Sequence, residues 1–253
     1  MRQHSANASR AAVNARKQRY RDIVAYDHTR VSLAAAGGHL GSDYINANYV
    51  VGYEKERAYI ASQGPLPDTV GDFWRMAWEQ TSRTIVMVAQ VRENNRVKCE
   101  LYWPAVDHSA TYGPLMVYGR REEVLSPNVT RRLFEIHHQD EDRVQEVVHL
   151  QMTTWPDHGS PRNPEAFLEL HRRFREAQRN ARNSRSGPVG LPIVHCSAGV
   201  GRSGTFICLD TVFETLLAGR DPVEPLAIIS RLRNCRNFMV QAVDQLDFIF
   251  RAI

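Results

Sequence analysis

Cys196 and Arg202 lie six positions apart and bracket Ser197, Ala198, Gly199, Val200 and Gly201. The two glycines let the backbone curl without Cβ clashes, so that successive N–H groups point at one spot. A nest of this kind at the start of a helix is an anion site of phosphate size. The same dipoles favour the thiolate of Cys196, which makes it a nucleophile. The planar fork of Arg202 is suited to hold two phosphate oxygens at once, which a lysine cannot do. Ser203 follows the loop, where its hydroxyl is expected to donate to the sulfur, and His195 precedes it. A bare Cys-x5-Arg is weak evidence, because a buried structural cysteine and an unrelated surface arginine are the commoner explanation. The full string VHCSAGVGRSGTF, set between a strand pattern and a helix pattern, is specific. Cys99, Cys208 and Cys235 read as core residues, and Cys208 falls inside the helix after the loop.

The elements that must position this loop are legible from periodicity. Residues 191–194 form a short buried strand, and from Arg202 a helix turns Phe206, Leu209, Phe213, Leu216 and Leu217 inward until Gly219 stops it. Upstream, residues 1–15 read as a polar, Ala-rich lead-in helix, 43–53 and 59–62 as extended segments, and 64–67 as a turn. Asp68 reads as the N-cap of a helix carrying Phe73, Trp74, Ala77 and Trp78 on one face. Residues 84–91 read as a buried strand, and several more strands lie between 98 and 152. After a loop over 153–163, Asn163-Pro164 opens a helix with Phe167, Leu170, Phe174 and Ala177 at helical spacing. Residues 180–188 read as a mobile surface loop, and 226–233 and 244–253 as two closing helices. Helices and strands mix without strict alternation. The fold expected is one α/β (α+β) domain spanning 1–253, a highly twisted mixed β-sheet flanked by α-helices, with the phosphate loop between a strand and a helix. The chain stops inside its last helical pattern, which points to a domain cut from a longer protein.

Composition narrows the class. The 253 residues are 43% apolar and 24% charged, ordinary for a soluble enzyme. The longest apolar stretch is strand-sized, so no membrane span is expected, and the N-terminus lacks the apolar core of a secretory signal. Four cysteines without CxxC spacing argue against zinc and against a disulfide framework, and indicate a reducing compartment. The net charge of +4 is too mild to indicate nucleic acid. Basic residues cluster at Arg16, Lys17, Arg19 and Arg21, and again at Arg172, Arg173, Arg175, Arg179, Arg182 and Arg185. Both clusters read first as solvated helix faces; the sharper alternative is a surface for acidic phosphopeptides or lipids.

Beyond the loop, the blocks KQRYRDI (17–23), DYINANYV (43–50), YIASQGPLPDTVGDFWRMAWEQ (59–80), KCELYWP (98–104), TTWPDHG (153–159) and RNFMVQAVDQL (236–246) follow in order. Together with the active-site string they resemble the catalytic domain of the phosphotyrosine-specific protein tyrosine phosphatases over nearly the whole chain. The resemblance implies hydrolysis of phosphotyrosine through a cysteinyl-phosphate, with no metal and no cofactor. It implies that Asp157 is the general acid, carried by Trp155 and Pro156 on a loop that closes over substrate. An isolated Asp in a Pro/Gly turn is ordinarily a turn residue; the Trp-Pro-Asp context reverses that. Gln241 resembles the glutamine that aligns the hydrolytic water, with Gln245 assisting. Glu93, ahead of Lys98, aligns with the glutamate that holds the phosphate-binding arginine. Tyr20 resembles the wall that sets pocket depth, and Asp22 the aspartate that accepts peptide N–H bonds. Arg233 and Arg236 match arginines near the pocket, in structural roles or binding a second acidic group.

The chain departs from the family pattern at Gln18, Ala25-Tyr26, Asn94-Asn95 and residues 180–190, none of them at the nucleophile, acid or clamp. The alternatives are a dual-specificity or lipid phosphatase, or an arsenate reductase, on the same loop, and a pseudophosphatase that only binds phosphotyrosine. The first group lacks the N-terminal block with Tyr20; the last ordinarily loses the acid, cysteine or arginine. The implied partners are phosphotyrosine proteins, not nucleic acid. The expected form is a monomer in the cytoplasm, or on the cytoplasmic side of a receptor. An accessible thiolate at Cys196 is also expected to be the preferred site of peroxide oxidation.

Overall fold

Alternating and β-branched segments pair into a nine-stranded sheet among the described residues, which are 4–35, 37–156, 159–184 and 187–253 of this computed structural model. The elements in chain order are α1 (Asn7–Arg10), β1 (Arg30–Ser32), β2 (Tyr44–Gly52), β3 (Lys55–Ser62), α2 (Val70–Glu79) and β4 (Thr84–Met87). A two-stranded ribbon follows, β5 (Arg92–Glu93) with β6 (Arg96–Val97), and then β7 (Ser109–Tyr112), β8 (Leu115–Val124), β9 (Val129–His138) and β10 (Glu141–Met152). The chain closes with α3 (Glu165–Asn183), β11 (Ile193–His195), α4 (Gly201–Leu217), α5 (Pro225–Cys235) and α6 (Val243–Ala252).

The order β1-β2-β3-β11-β4-β10-β9-β8-β7 places β11 near the middle. It pairs in parallel with β3 and β4, and β4 pairs in parallel with β10, while the flanking pairs are antiparallel. Central parallel strands are covered on both faces, which is why Ile193, Val194 and His195 are all buried. Side-chain alternation sorts the two faces. Phe134 and His149 meet Trp74 and Tyr102 beneath α2, with Trp74 and Phe134 5.6 Å apart. On the other face Phe167 and Phe174 of α3 pack on Phe206 of α4 at 5.7 and 5.2 Å. The fold is therefore the mixed twisted sheet flanked by helices that the sequence suggests, with the 196–202 loop joining β11 to α4.

Several expected boundaries move. The lead-in helix over 1–15 is broken into α1 and a 3-10 turn at Ala12–Lys17. Tertiary hydrogen bonds bend it, from Ser9 Oγ to Ala25 O (2.9 Å) and Asn14 Nδ2 to Ala8 O (2.8 Å). Asp68 does not cap α2. It sits in a 3-10 turn where Thr69 Oγ1 accepts from Leu66 N at 2.9 Å, and the helix begins at Val70. The strand expected to reach residue 91 ends at Met87, because the chain turns away to form the β5–β6 ribbon. The loop expected from residue 180 begins later, since α3 continues to Asn183.

Candidate active site

The loop's curl has a visible cause. Gly199 has φ +71°, and a Cβ there would lie 2.0 Å from Ser62 O. Only glycine fits, so the backbone turns inward at that point. Its N–H then points at Cys196 Sγ, 3.3 Å away. Gly204 is required by proximity instead, since a Cβ would lie 2.5 Å from Val240 N. Val200 O accepts from Gly204 N (3.0 Å) and Val240 N (3.1 Å), which locks the end of the loop to the segment before Gln241.

Behind the loop lies Arg236, fully buried, donating to Gly199 O (2.9 Å), Ala198 O (3.1 Å), Asn48 Oδ1 (2.8 Å) and Asn46 Oδ1 (2.7 Å). Burial lowers its pKa to about 10, still cationic at neutral pH. Asn46 and Asn48 come from β2, inside the DYINANYV block, and the sequence gives no sign that they hold this arginine. Arg233 braces the next segment, donating to Met239 O (2.9 Å) and Val240 O (2.7 Å). Arg236 is wholly committed to scaffolding, which leaves it no part in binding a second acidic group, while Arg233 is half-buried and uses Nε and one terminal nitrogen on these carbonyls. The segment that Arg233 braces is strained. Phe238 and Val240 have φ of 56° and 57°, which is unfavourable for a β-branched residue.

Arg202 is held on the rim by a bidentate pair with Glu93, at 2.6 and 2.8 Å, and donates to Pro156 O at 3.1 Å. The Glu93 carboxylate is 4% exposed and also accepts from Gln90 N at 3.1 Å. Glu93 is buried under Arg202, in the place the resemblance implies, while Lys98 lines the cleft. Lys98 O accepts from Ser197 Oγ at 2.7 Å. That hydroxyl is thereby committed as a donor, so the 2.9 Å contact between Tyr20 and Ser197 runs from Tyr20 Oη to Ser197 Oγ. Tyr20 is presented by its neighbours: Arg19 donates to Gly64 O and Pro65 O, and Gln18 bonds Asn46 and Tyr44.

The resulting cleft has a volume of about 280 Å³, with Tyr20, Cys196, Arg202 and Gln241 among its walls. Asp22, Ala198 and Gly201 also line it; Asp22 is exposed at the mouth, its backbone oxygen accepting from Asn237 Nδ2 at 2.8 Å. Gln245 lines it too, but its Oε1 is committed to the backbone N–H groups of Gln241 (2.9 Å) and Ala242 (3.2 Å). It therefore positions Gln241 and caps α6. Ser203 departs from expectation. Its Oγ is buried without a hydrogen-bond partner among the described residues, so no bond to Cys196 Sγ exists. Trp155 is buried against Phe248 at 5.6 Å, and its Nε1 donates to Gly159 O at 3.2 Å. Asp157 lies outside the described residues.

His195 sits in a directional relay. Arg132 NH1 approaches His149 Nδ1 at 3.5 Å, which makes that nitrogen an acceptor. His149 Nε2 then donates to Tyr102 Oη (2.9 Å), Tyr102 Oη to His195 Nε2 (2.8 Å), and His195 Nδ1 to Cys196 O (3.1 Å). Burial drives both imidazoles neutral, His195 down to about 4 and His149 well below its usual value, as this tautomer assignment requires. Tyr102 and His149 were not predicted as site residues. The other three cysteines are buried and free; burial raises the Cys99 thiol and pushes Cys208 up to about 12. Among the described residues no cluster of His, Cys, Asp and Glu is arranged to hold a metal ion, and no helix is long and apolar enough to cross a membrane.

A glycine-cut loop at the C-terminal end of a central parallel strand, with a cysteine sulfur at its floor and an arginine fork on its rim, defines the class of cysteine-based phosphate-binding proteins. Comparison with known proteins fixes the family. The protein-tyrosine phosphatase profile matches residues 14–253, and the chain belongs to that family. It is 44% identical over 245 residues to chicken receptor-type tyrosine-protein phosphatase S and 45% identical to the Lar-like tyrosine-protein phosphatase of Caenorhabditis elegans, in each case over 97% of this chain. It spans only 16% and 11% of the lengths of those two proteins. The catalytic domain of human protein tyrosine phosphatase non-receptor type 18 superposes with a TM-score of 0.89 at 34% identity, over 98% of this chain and 86% of that one.

Proposed function

We propose that this chain hydrolyses phosphotyrosine in proteins through a cysteinyl-phosphate. The observation that carries the reading is the convergence of Cys196 Sγ, the Gly199 N–H and the Glu93-held Arg202 fork on one cleft walled by Tyr20. The thiolate attacks phosphorus in line, the P–O bond to tyrosine breaks, and Asp157 gives its proton to the leaving oxygen. Arg202 and the loop amides hold the equatorial oxygens as charge redistributes. A water aligned by Gln241 then attacks phosphorus, the S–P bond breaks, the thiolate returns, and Asp157 takes the water's proton. Residues 1–253 act as one catalytic domain, working as a monomer on the cytoplasmic side, and positive charge from the arginine and amides makes metal unnecessary. Peroxide takes Cys196 reversibly out of service.

The test is hydrolysis of phosphotyrosine and phosphoserine peptides and of a phosphoinositide, with and without EDTA. Expected are EDTA-insensitive turnover of phosphotyrosine alone, loss of turnover in Cys196→Ser, and a stable phosphopeptide complex in Asp157→Ala. Substantial activity in Cys196→Ser rejects the mechanism. Phosphopeptide binding without turnover by the parent protein makes it a binding module instead.

A further inference from the structure

The largest of the described clefts is not the one at Cys196. It has a volume of about 370 Å³, against about 280 Å³, and opens between β3, α3 and residues 189–192. Residues 189–192 run directly into β11, and Pro192 O accepts from Ile60 N at 2.9 Å. The cleft therefore sits at the opposite end of β11 from Cys196 and shares no lining residue with the first.

Its charge is unbalanced. Lys55, Arg57 and Arg182 line it, all exposed and none in an ion pair among the described residues. The Arg57 guanidinium lies over the Tyr49 ring at 4.4 Å from its centroid, which holds its fork in place. The one carboxylate in the lining, Glu214, is already taken by Arg175 at 2.8 Å. Three cations therefore face a cavity with no uncommitted counter-charge. Guanidinium forks of this kind match the oxygens of phosphate.

The neutral part of the lining specifies more. Gln178 is 5% exposed, lines the cleft, and makes no hydrogen bond through its amide among the described residues. Its amide is therefore open to a ligand in the cleft, as donor and as acceptor. Half-buried Tyr49 donates its proton to Gln80 Oε1 (2.7 Å), so its phenol oxygen keeps acceptor capacity beside the cleft. Cations for phosphate stand beside acceptors for hydroxyl groups.

We infer that this cleft binds a phosphorylated polyol, with its phosphates on Lys55, Arg57 and Arg182 and its hydroxyls on Gln178 and the Tyr49 oxygen. The ligand chemistry is the same in a free inositol phosphate and in a phosphoinositide headgroup. The inference is independent of the reaction at Cys196. It also gives part of the basic cluster on α3 a purpose beyond solvation, because Arg182 faces this cavity while Arg173 and Arg175 are paired with Glu176 and Glu214.

The experiment titrates inositol 1,4,5-trisphosphate into the intact chain by calorimetry, with and without saturating orthovanadate in the Cys196 cleft. In parallel, phosphatidylcholine vesicles with and without phosphatidylinositol 4,5-bisphosphate are co-sedimented with the protein. Binding is expected to survive orthovanadate and to weaken at least tenfold in both Arg57→Gln and Arg182→Gln, with further weakening in Gln178→Leu. The two arginine variants are solvent-facing and should keep the parent's hydrolysis of a small aryl phosphate. Binding of the soluble probe identifies a free polyol phosphate; binding of the vesicles alone identifies a lipid headgroup. Either result supports the site if it depends on Arg57 and Arg182. No binding of either probe, loss of binding in orthovanadate, or unchanged binding in both arginine variants overturns it.

Discussion

Replacing Glu93 by alanine should disable the phosphate clamp without touching it. Arg202 makes two hydrogen bonds to Glu93, at 2.6 and 2.8 Å, in a pair whose side chains are only 12% and 4% exposed. In Glu93→Ala the guanidinium keeps Pro156 O and loses the carboxylate that fixes the plane of its fork. Two effects follow. Removing one partner of a buried pair costs roughly 3–5 kcal/mol of stability. A fork displaced by about 1 Å from the phosphate costs on the order of 10²-fold in rate, equivalent to about 2.7 kcal/mol of transition-state stabilisation. Glu93→Gln is the informative control. Its Oε1 can still accept from Arg202 and from Gln90 N, but it cannot supply two anionic oxygens, so a loss of about tenfold is expected. The assay is kcat/KM on a phosphotyrosyl peptide, with competitive inhibition by inorganic phosphate and a thermal melt on the same samples. Both constants should weaken together in the order parent, Gln, Ala. A folded Glu93→Ala protein with kcat/KM within about threefold of the parent would refute the reasoning, since no rate would then depend on the fork's geometry.

Other perturbations address other parts of the site. Gly199→Ala places a Cβ 2.0 Å from Ser62 O at a φ of +71°; orthovanadate binding and catalysis should both be lost, at a strain of roughly 1–3 kcal/mol or more, and retained orthovanadate affinity would show that the curl is dispensable. Tyr20→Ala should raise KM for phosphotyrosine peptides by about two- to tenfold, the equivalent of a ring contact of about 0.5–1.5 kcal/mol, and should narrow discrimination against phosphoserine; unchanged selectivity would remove Tyr20 as the depth gauge. The buried imidazoles give a pH signature. The unfolded chain takes up protons between about pH 6.5 and pH 4 that His195 refuses while folded, so stability should rise with pH across that window and be flat above it, by about 3 kcal/mol for this one group. Urea midpoints at about pH 5 and about pH 7.5 measure the difference, and His149→Gln should reduce it; equal midpoints would mean that the imidazoles are not held neutral.

The phosphate-binding loop and most of the scaffold were legible in the sequence. Cys196, Gly199 and Arg202 are close neighbours in the chain, and the strand and helix patterns around them are local, so the loop could be read without knowing what lies nearby. The long helices and the strands of the sheet follow from periodicity, with errors at ends such as Asp68 and residues 84–91, where a tertiary turn overrides local preference. Partners distant in the chain were another matter. That Glu93 reaches Arg202 109 residues away was suggested only by family resemblance, and nothing local marked the use of Asn46 and Asn48 to hold Arg236 across about 190 residues. The relay from Arg132 to Cys196 O joins three strands and a loop. Its direction exists only because burial keeps both histidines neutral. Ser203 shows the converse case: adjacency in sequence suggested a bond to sulfur, and the first turn of α4 carries its hydroxyl elsewhere. Residue type and spacing determine what a loop can do. Which side chains hold it in that state depends on the tertiary fold, because only the folded chain brings Asn46 and Asn48 of β2, His149 of β10 and Glu93 of the β5–β6 ribbon to the C-terminal end of one short buried strand.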